Sequence, residues 1–218
     1  MSLGEVLKWV LNALELTAAC TGLYYWNKWK STYWKWFTIF LFFIFVTELV
    51  GKYLAHNIPG YNAKWYRYLN IPVYFLFLLW LLGKPFDSKK IFTVSRFFMV
   101  GYILLFLIEE YMYGSTKIKY SVYSYQFGSV GILILSVQYF IFLTRKDNIL
   151  FFKTDIHFWL SAGLILYMVI MLPFRSMYNL LDSKNYHSIA MGYWYISFLF
   201  NYTMYTFFTL GFIWGKAK

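Results

Sequence analysis

From Val122 to Thr144 the chain runs without one charged side chain, and from Ala190 to Trp214 it does so again. No other feature constrains the fold as much. Apolar runs of this length exceed what a small chain can bury in itself, and in lipid every backbone N–H and C=O must find its partner within the protein. Five more apolar stretches can be marked, from Val6 to Trp26, Trp34 to Leu54, Tyr68 to Gly83, Phe92 to Tyr113 and Ile156 to Phe174. A spanning helix takes about 20 residues, so seven spans with short connections consume all 218 residues. The expectation is an all-α integral membrane protein, a single domain of seven transmembrane helices over residues 1–218, with no room for a second folded domain.

Strands are the competing reading, since Tyr, Phe, Ile and Thr favour sheet. Membrane strands alternate apolar and polar positions over about ten residues, whereas Gly131 to Leu135 and Phe37 to Val46 are apolar on every side. The pattern therefore specifies helices. The stretch from Tyr68 is the weakest, being short and carrying Asn70 and Pro72, although proline in a first helical turn costs little.

Composition agrees. Charged residues make up 13% of the chain, against roughly a quarter in soluble domains, and hydrophobic residues 61%. Many of the Trp and Tyr sit beside charges at the ends of apolar runs, where their amphipathic rings anchor a helix at the headgroups. The net charge of +11 is scattered through connections, which fits anionic lipid rather than nucleic acid. The single cysteine, Cys20, precludes an intramolecular disulfide.

Orientation follows from the basic residues. The first, third and fifth connections and the C-terminal tail hold Lys28, Lys30, Lys35, Lys84, Lys89, Lys90, Arg96, Arg145, Lys146, Lys153, Lys216 and Lys218. The opposite side holds Lys8, Lys52, Lys64, Arg67, Lys117, Lys119, Arg175 and Lys184. The richer side is expected to face the cytoplasm, placing the N-terminus outside and the C-terminus inside a bacterial inner membrane. The longest loops, Ala55 to Arg67, Gly114 to Ser121 and Ser176 to Ser188, then lie outside.

Ionisable and amide groups at membrane depth are costly and mark candidate sites. Glu15 falls near the middle of the first span with Asn12 one turn away, and Asn201 near the middle of the seventh. Glu48 lies in the outer half of the second span, with Lys52 at i+4 in the order that favours a helical ion pair. Glu109 and Glu110 end the fourth span, Gln126 opens the fifth and Arg175 closes the sixth. Glu15, Glu48, Lys52, Glu109, Gln126, Arg175 and Asn201 together fit a polar cavity open to the outside. Interhelical hydrogen bonding that fixes bundle geometry is the alternative.

Enzyme and cofactor chemistry finds little support. A zinc hydrolase needs three or more ligands at one depth, yet His56 and His187 fall in outer loops and His157 at the cytoplasmic start of the sixth span. A retinal Schiff base needs a lysine in the last span, and none lies between Asn185 and Gly215. Neither a phosphate-binding glycine loop nor a Gly-x-Ser-x-Gly elbow occurs. No cofactor or metal and no enzymatic activity is expected.

Four segments carry a resemblance: Phe45-Val46-Thr47-Glu48-Leu49-Val50-Gly51, Tyr68-Leu69-Asn70-Ile71-Pro72, Phe158-Trp159-Leu160-Ser161-Ala162-Gly163 through Tyr167, and Asn201 with Tyr205. In these the chain resembles uncharacterised seven-helix membrane proteins of Bacteroidota, also found as membrane modules ahead of sensor histidine kinases. Because no dimerisation helix or kinase domain follows Lys218, the resemblance implies a sensory or accessory role whose output passes to a separate cytoplasmic partner or membrane complex, in response to a small ligand of unknown identity. A small transporter or channel using Glu15, Glu48 and Asn201 stays open beside it, as does a structural subunit of a membrane complex.

Overall fold

The computed structural model describes residues 3–58, 61–84, 89–113, 122–145, 152–181 and 187–216, and these contain helices and no strand. In chain order the helices are α1 (Leu3–Tyr24), α2 (Trp26–Trp29), α3 (Trp34–Asn57), α4 (Tyr61–Trp65), a π-helical turn (Tyr66–Asn70), α5 (Ile71–Leu82), α6 (Lys89–Tyr113), α7 (Val122–Arg145), α8 (Ile156–Leu181) and α9 (His187–Trp214). Seven helical segments are long and apolar enough to cross a membrane, with α4, the π turn and α5 together forming the third. The chain is thus a multi-pass membrane protein by length and composition.

Two corrections concern loops. The segment from Ala55 to Arg67, expected as an outer loop, is helical from Ala55 to Asn57 and again from Tyr61, so the third span starts seven residues earlier than the apolar run. Similarly, α8 continues past Phe174 to Leu181 and α9 begins at His187, which shortens the expected loop from Ser176 to Ser188. Polar residues hid both extensions from a hydropathy reading, although a helix that has left the hydrocarbon can keep its backbone bonds. The Pro59-Gly60 turn signal and the loop from Gly114 to Ser121 lie outside the described residues.

The π turn has a local cause. Pro72 offers no N–H to the carbonyl four residues back, and its ring crowds that carbonyl. The helix widens just ahead of it, and the Ile71 N–H bonds to the Tyr66 carbonyl, five residues back. Asn70 and Pro72, which weaken the apolar pattern, are thereby housed without ending the span.

By compactness the chain divides into one unit of residues Met1–Phe42 with Ser136–Lys218 and a second of Phe43–Leu135, the boundaries falling inside α3 and inside α7. In the first unit small residues allow helices to close on one another. A Cβ on Gly22 would lie 2.7 Å from Thr38 Oγ1, and one on Gly163 only 3.3 Å from the backbone oxygen of Met204. Without a hydrophobic force between helices in lipid, such close packing is a main source of association. Phe37 stacks on Phe212, with ring centroids 5.5 Å apart, and Trp29 meets Phe212 edge-on. Lys28, between the first two spans, donates to the last carbonyls of α9 at Phe212 and Ile213, where a cation suits the helix dipole. Partial burial holds its pKa below the ordinary lysine value.

In the second unit, Phe75 packs on Tyr102 and Tyr125, and Gly128 and Gly131 leave room for Phe75 and Phe98. The Ser95 hydroxyl donates to the Leu79 carbonyl, 2.7 Å away, and ties α6 to α5.

Candidate functional site

Polar groups converge on the π turn within the second unit. The Tyr66 hydroxyl donates to Glu48 Oε2 on α3 at 2.6 Å. Its ring reaches that position because Gly51, one turn beyond Glu48, carries no side chain: a Cβ there would come 2.5 Å from the Tyr66 oxygen. Asn70 donates through Nδ2 to Thr47 Oγ1 at 2.8 Å, Thr47 Oγ1 donates to the Ile44 carbonyl, and Trp65 Nε1 donates to the Thr47 carbonyl. Two consecutive elements of one span, α4 and the π turn, are thereby fastened to the two residues Thr47 and Glu48.

On its other side the π turn holds α6. Arg67 pairs with Glu110 Oε2 at 2.8 Å, and the Tyr68 hydroxyl donates to Glu110 Oε1 at 2.6 Å. The guanidinium of Arg67 also lies over the Tyr68 ring. Arg67 is 8% exposed, and a cation so buried is tolerable only with an anion beside it.

Glu109, next to Glu110 in sequence, does something different. Its carboxylate accepts the backbone N–H of Tyr123 at 2.7 Å and that of Ser124 at 3.0 Å, and it also accepts the Ser124 hydroxyl. Those N–H groups belong to the first turn of α7, where four donors lack helical partners and the dipole favours an anion. Glu109 is therefore a cap supplied by a neighbouring helix, which explains how a carboxylate 5% exposed keeps its charge satisfied.

The sequence candidates thus fall into two groups. Glu48, Lys52, Glu109 and Gln126 belong to the second unit, while Glu15, Arg175 and Asn201 belong to the first. Within the second, Glu48 joins the cluster on the π turn; Lys52 and Gln126 are half-buried on α3 and α7. Within the first, Glu15 and Asn12 are both buried on one face of α1, and Asn201 donates to the Ser197 carbonyl of its own helix at 2.8 Å. Arg175 is half-buried on α8, two residues after Pro173.

Sequence reasoning missed Tyr66, Arg67, Tyr68 and Asn70 as partners. The available signal was an asparagine and a proline interrupting an apolar run, with an arginine just ahead. Two of the segments that carry the sequence resemblance meet here, Thr47, Glu48 and Gly51 from one and Tyr68, Asn70 and Pro72 from the other.

A second polar group lies in the first unit. His157, 5% exposed, is hydrogen-bonded through Nε2 to the Tyr33 hydroxyl and sits edge-on to Trp34 at 4.4 Å between centroids. The backbone N–H of His157 donates to Asp155 Oδ1 at 3.0 Å, the arrangement of an aspartate N-cap. Burial, reinforced by the charge of Asp155, pushes the Tyr33 phenol well above its ordinary pKa. His56 is on the last turn of α3 and exposed, rather than in a loop. Compared with protein-family models, curated proteins and solved structures, the chain matches none.

Proposed function

We propose that this protein is a receptor-like or accessory signalling module of a bacterial inner membrane, with its N-terminus outside, and that the cluster on the π turn is where it registers a small polar ligand. The observation that supports this reading is the combination of a π turn, a geometry frequent at functional positions, with Glu48, Arg67 and Glu110 held against it through side-chain bonds. A ligand that competes for the Tyr66–Glu48 or Arg67–Glu110 contact changes the relative stability of the π and α forms of that turn. Conversion shifts the register of α5 by one residue, a rotation of about 100°. Differential contacts of this kind are what a ligand needs to shift a conformational equilibrium. The output passes to a separate cytoplasmic or membrane partner, and no catalytic step is involved.

Glu15, 3% exposed within the first unit, favours the second reading, a small proton- or cation-coupled transporter. Proteoliposomes containing a pH-sensitive dye and a clamped potential separate the two. The signalling reading expects no proton flux above empty vesicles, and a flux abolished by Glu15→Gln replaces it with transport. Orientation is tested by reporter fusions: one after Lys90 reads cytoplasmic and one within residues 58–63 reads external, and the reverse result places the π-turn cluster at the cytoplasmic end.

A further inference from the structure

We propose that the far end of α5 and the start of α6 form a binding site for the phosphate group of an anionic lipid, with Lys84 and Arg96 as its cations. The geometry begins with a close approach. A Cβ on Gly83 would lie 2.7 Å from both Cβ and Oγ of Ser95, and Ser95 Oγ is bonded to the Leu79 carbonyl. The residues that follow, Lys84 and Arg96, are therefore brought to the same end of the helix pair by the packing of Gly83 against the Ser95 side chain.

Both cations meet the same ring. Arg96 Cζ lies 4.2 Å from the Phe92 centroid, and Lys84 Nζ lies 5.8 Å from it and 5.0 Å from that of Trp80. Two like charges are thus kept within about one Debye length, roughly 10 Å at 0.1 M salt. Neither makes an ion pair or a side-chain hydrogen bond among the described residues, and both are exposed. The C-terminal carbonyls of α5 favour Lys84. In sequence, Lys84, Lys89, Lys90 and Arg96 outnumber the one acid of residues 83–96, Asp87. An anion between the two side chains relieves the repulsion. Two aromatic rings beside it at the end of a membrane span place that anion at headgroup level, where a guanidinium can take a phosphate through two parallel N–H bonds.

The test uses the full chain in a neutral detergent, titrated with phosphatidylglycerol, phosphatidylcholine or inorganic phosphate and followed by native mass spectrometry and thermal unfolding. Phosphatidylglycerol should bind and raise the unfolding temperature, the other two not. Each of Lys84→Gln and Arg96→Gln should weaken phosphatidylglycerol binding by about five-fold, from the usual contribution of one basic residue near an anionic surface. The doubly substituted Lys84→Arg, Arg96→Lys chain should retain binding. As a control, Lys35→Gln with Lys153→Gln removes two charges elsewhere and should leave binding unchanged. The proposal is overturned by equal affinity for phosphatidylcholine, by a response to inorganic phosphate without one to lipid, or by equal losses in the control and the site variants.

Discussion

The two compact units of this chain use their polar side chains differently. In the unit of Phe43–Leu135 the carboxylates among the described residues are held by groups from other elements: Glu48 by Tyr66, Glu110 by Arg67 and Tyr68, and Glu109 by the first turn of α7. In the unit of Met1–Phe42 and Ser136–Lys218, Tyr33 and His157 also pair side chain to side chain, but three long polar side chains turn to backbone carbonyls. Lys28 reaches Phe212, Tyr202 reaches Leu7, and Asn201 reaches back to Ser197. Glycines admit close packing in both units, at 22, 163 and 211 in this one and at 51, 101, 128 and 131 in the other. Lipid supplies no hydrophobic force between helices, so association rests on packing and hydrogen bonds, and the two units differ in the second of these. The contrast teaches that removing a carboxylate should matter most in the unit of Phe43–Leu135, while volume at a packed glycine should matter in both.

The largest test of that contrast is Glu109→Leu. It strips the acceptor from two backbone donors and a hydroxyl at the start of α7, and bonds to a buried charge contribute about 1.5–3 kcal/mol. Unfolding in detergent should show a loss near the top of that range, with Glu109→Gln recovering part of it because one acceptor oxygen remains. A change at Glu109→Leu no larger than that of a surface substitution would remove the charge half of the comparison.

The volume half predicts that Gly163→Leu costs about 1–3 kcal/mol, as overpacking does, because its Cβ would press on the Met204 backbone. Gly192→Leu, on the facing helix of the pair, should be nearly neutral in the same assay, since a Cβ there meets nothing within 4 Å. Equal costs at the two glycines would show that contact with the neighbouring helix does not govern the effect.

Smaller again is Tyr66→Phe, which removes one hydrogen bond to Glu48 at a cost of about 0.6 kcal/mol, the average for interhelical bonds in membranes. Gly51→Ala should produce the same change in the Glu48 carboxyl band by infrared spectroscopy, by pushing the Tyr66 ring aside. If the band of Glu48 is unmoved by both, the link between Gly51, Tyr66 and Glu48 is wrong.

The smallest effect belongs to pH. The Tyr33 phenol is raised above its ordinary value of 10.0, so the folded state holds this proton more tightly than the unfolded chain does. Its contribution is complete below pH 10 and is lost as pH rises through the higher folded value. Relative to the native chain, Tyr33→Phe should show a shallower fall in stability above pH 10; identical slopes would mean that Tyr33 is solvated as in the unfolded chain.

Particular residues show why legibility was uneven. Glu48 stood out because a carboxylate inside an apolar run is conspicuous wherever it points. Tyr66 did not, since in a chain with 22 tyrosines nothing local separates one that binds a carboxylate from one that anchors at headgroups. Glu109 was visible as an acid at the end of the fourth span, and the start of α7 at Val122 was legible too, but that the first turn of α7 folds back onto Glu109 is a tertiary fact. Lys84 and Arg96 read as ordinary interfacial cations until the contact of Gly83 with Ser95 put them beside one ring.

What the sequence by itself determined is the set of seven apolar helices. Transfer of apolar side chains to lipid adds up along a segment, and helical backbone bonds close within that segment, so both can be read without knowing any neighbour. Only the tertiary structure decided which polar groups meet. Tyr66 and Glu48 are 18 positions apart and Tyr68 and Glu110 are 42, and a hydrogen bond depends on a distance and an angle that no local pattern encodes.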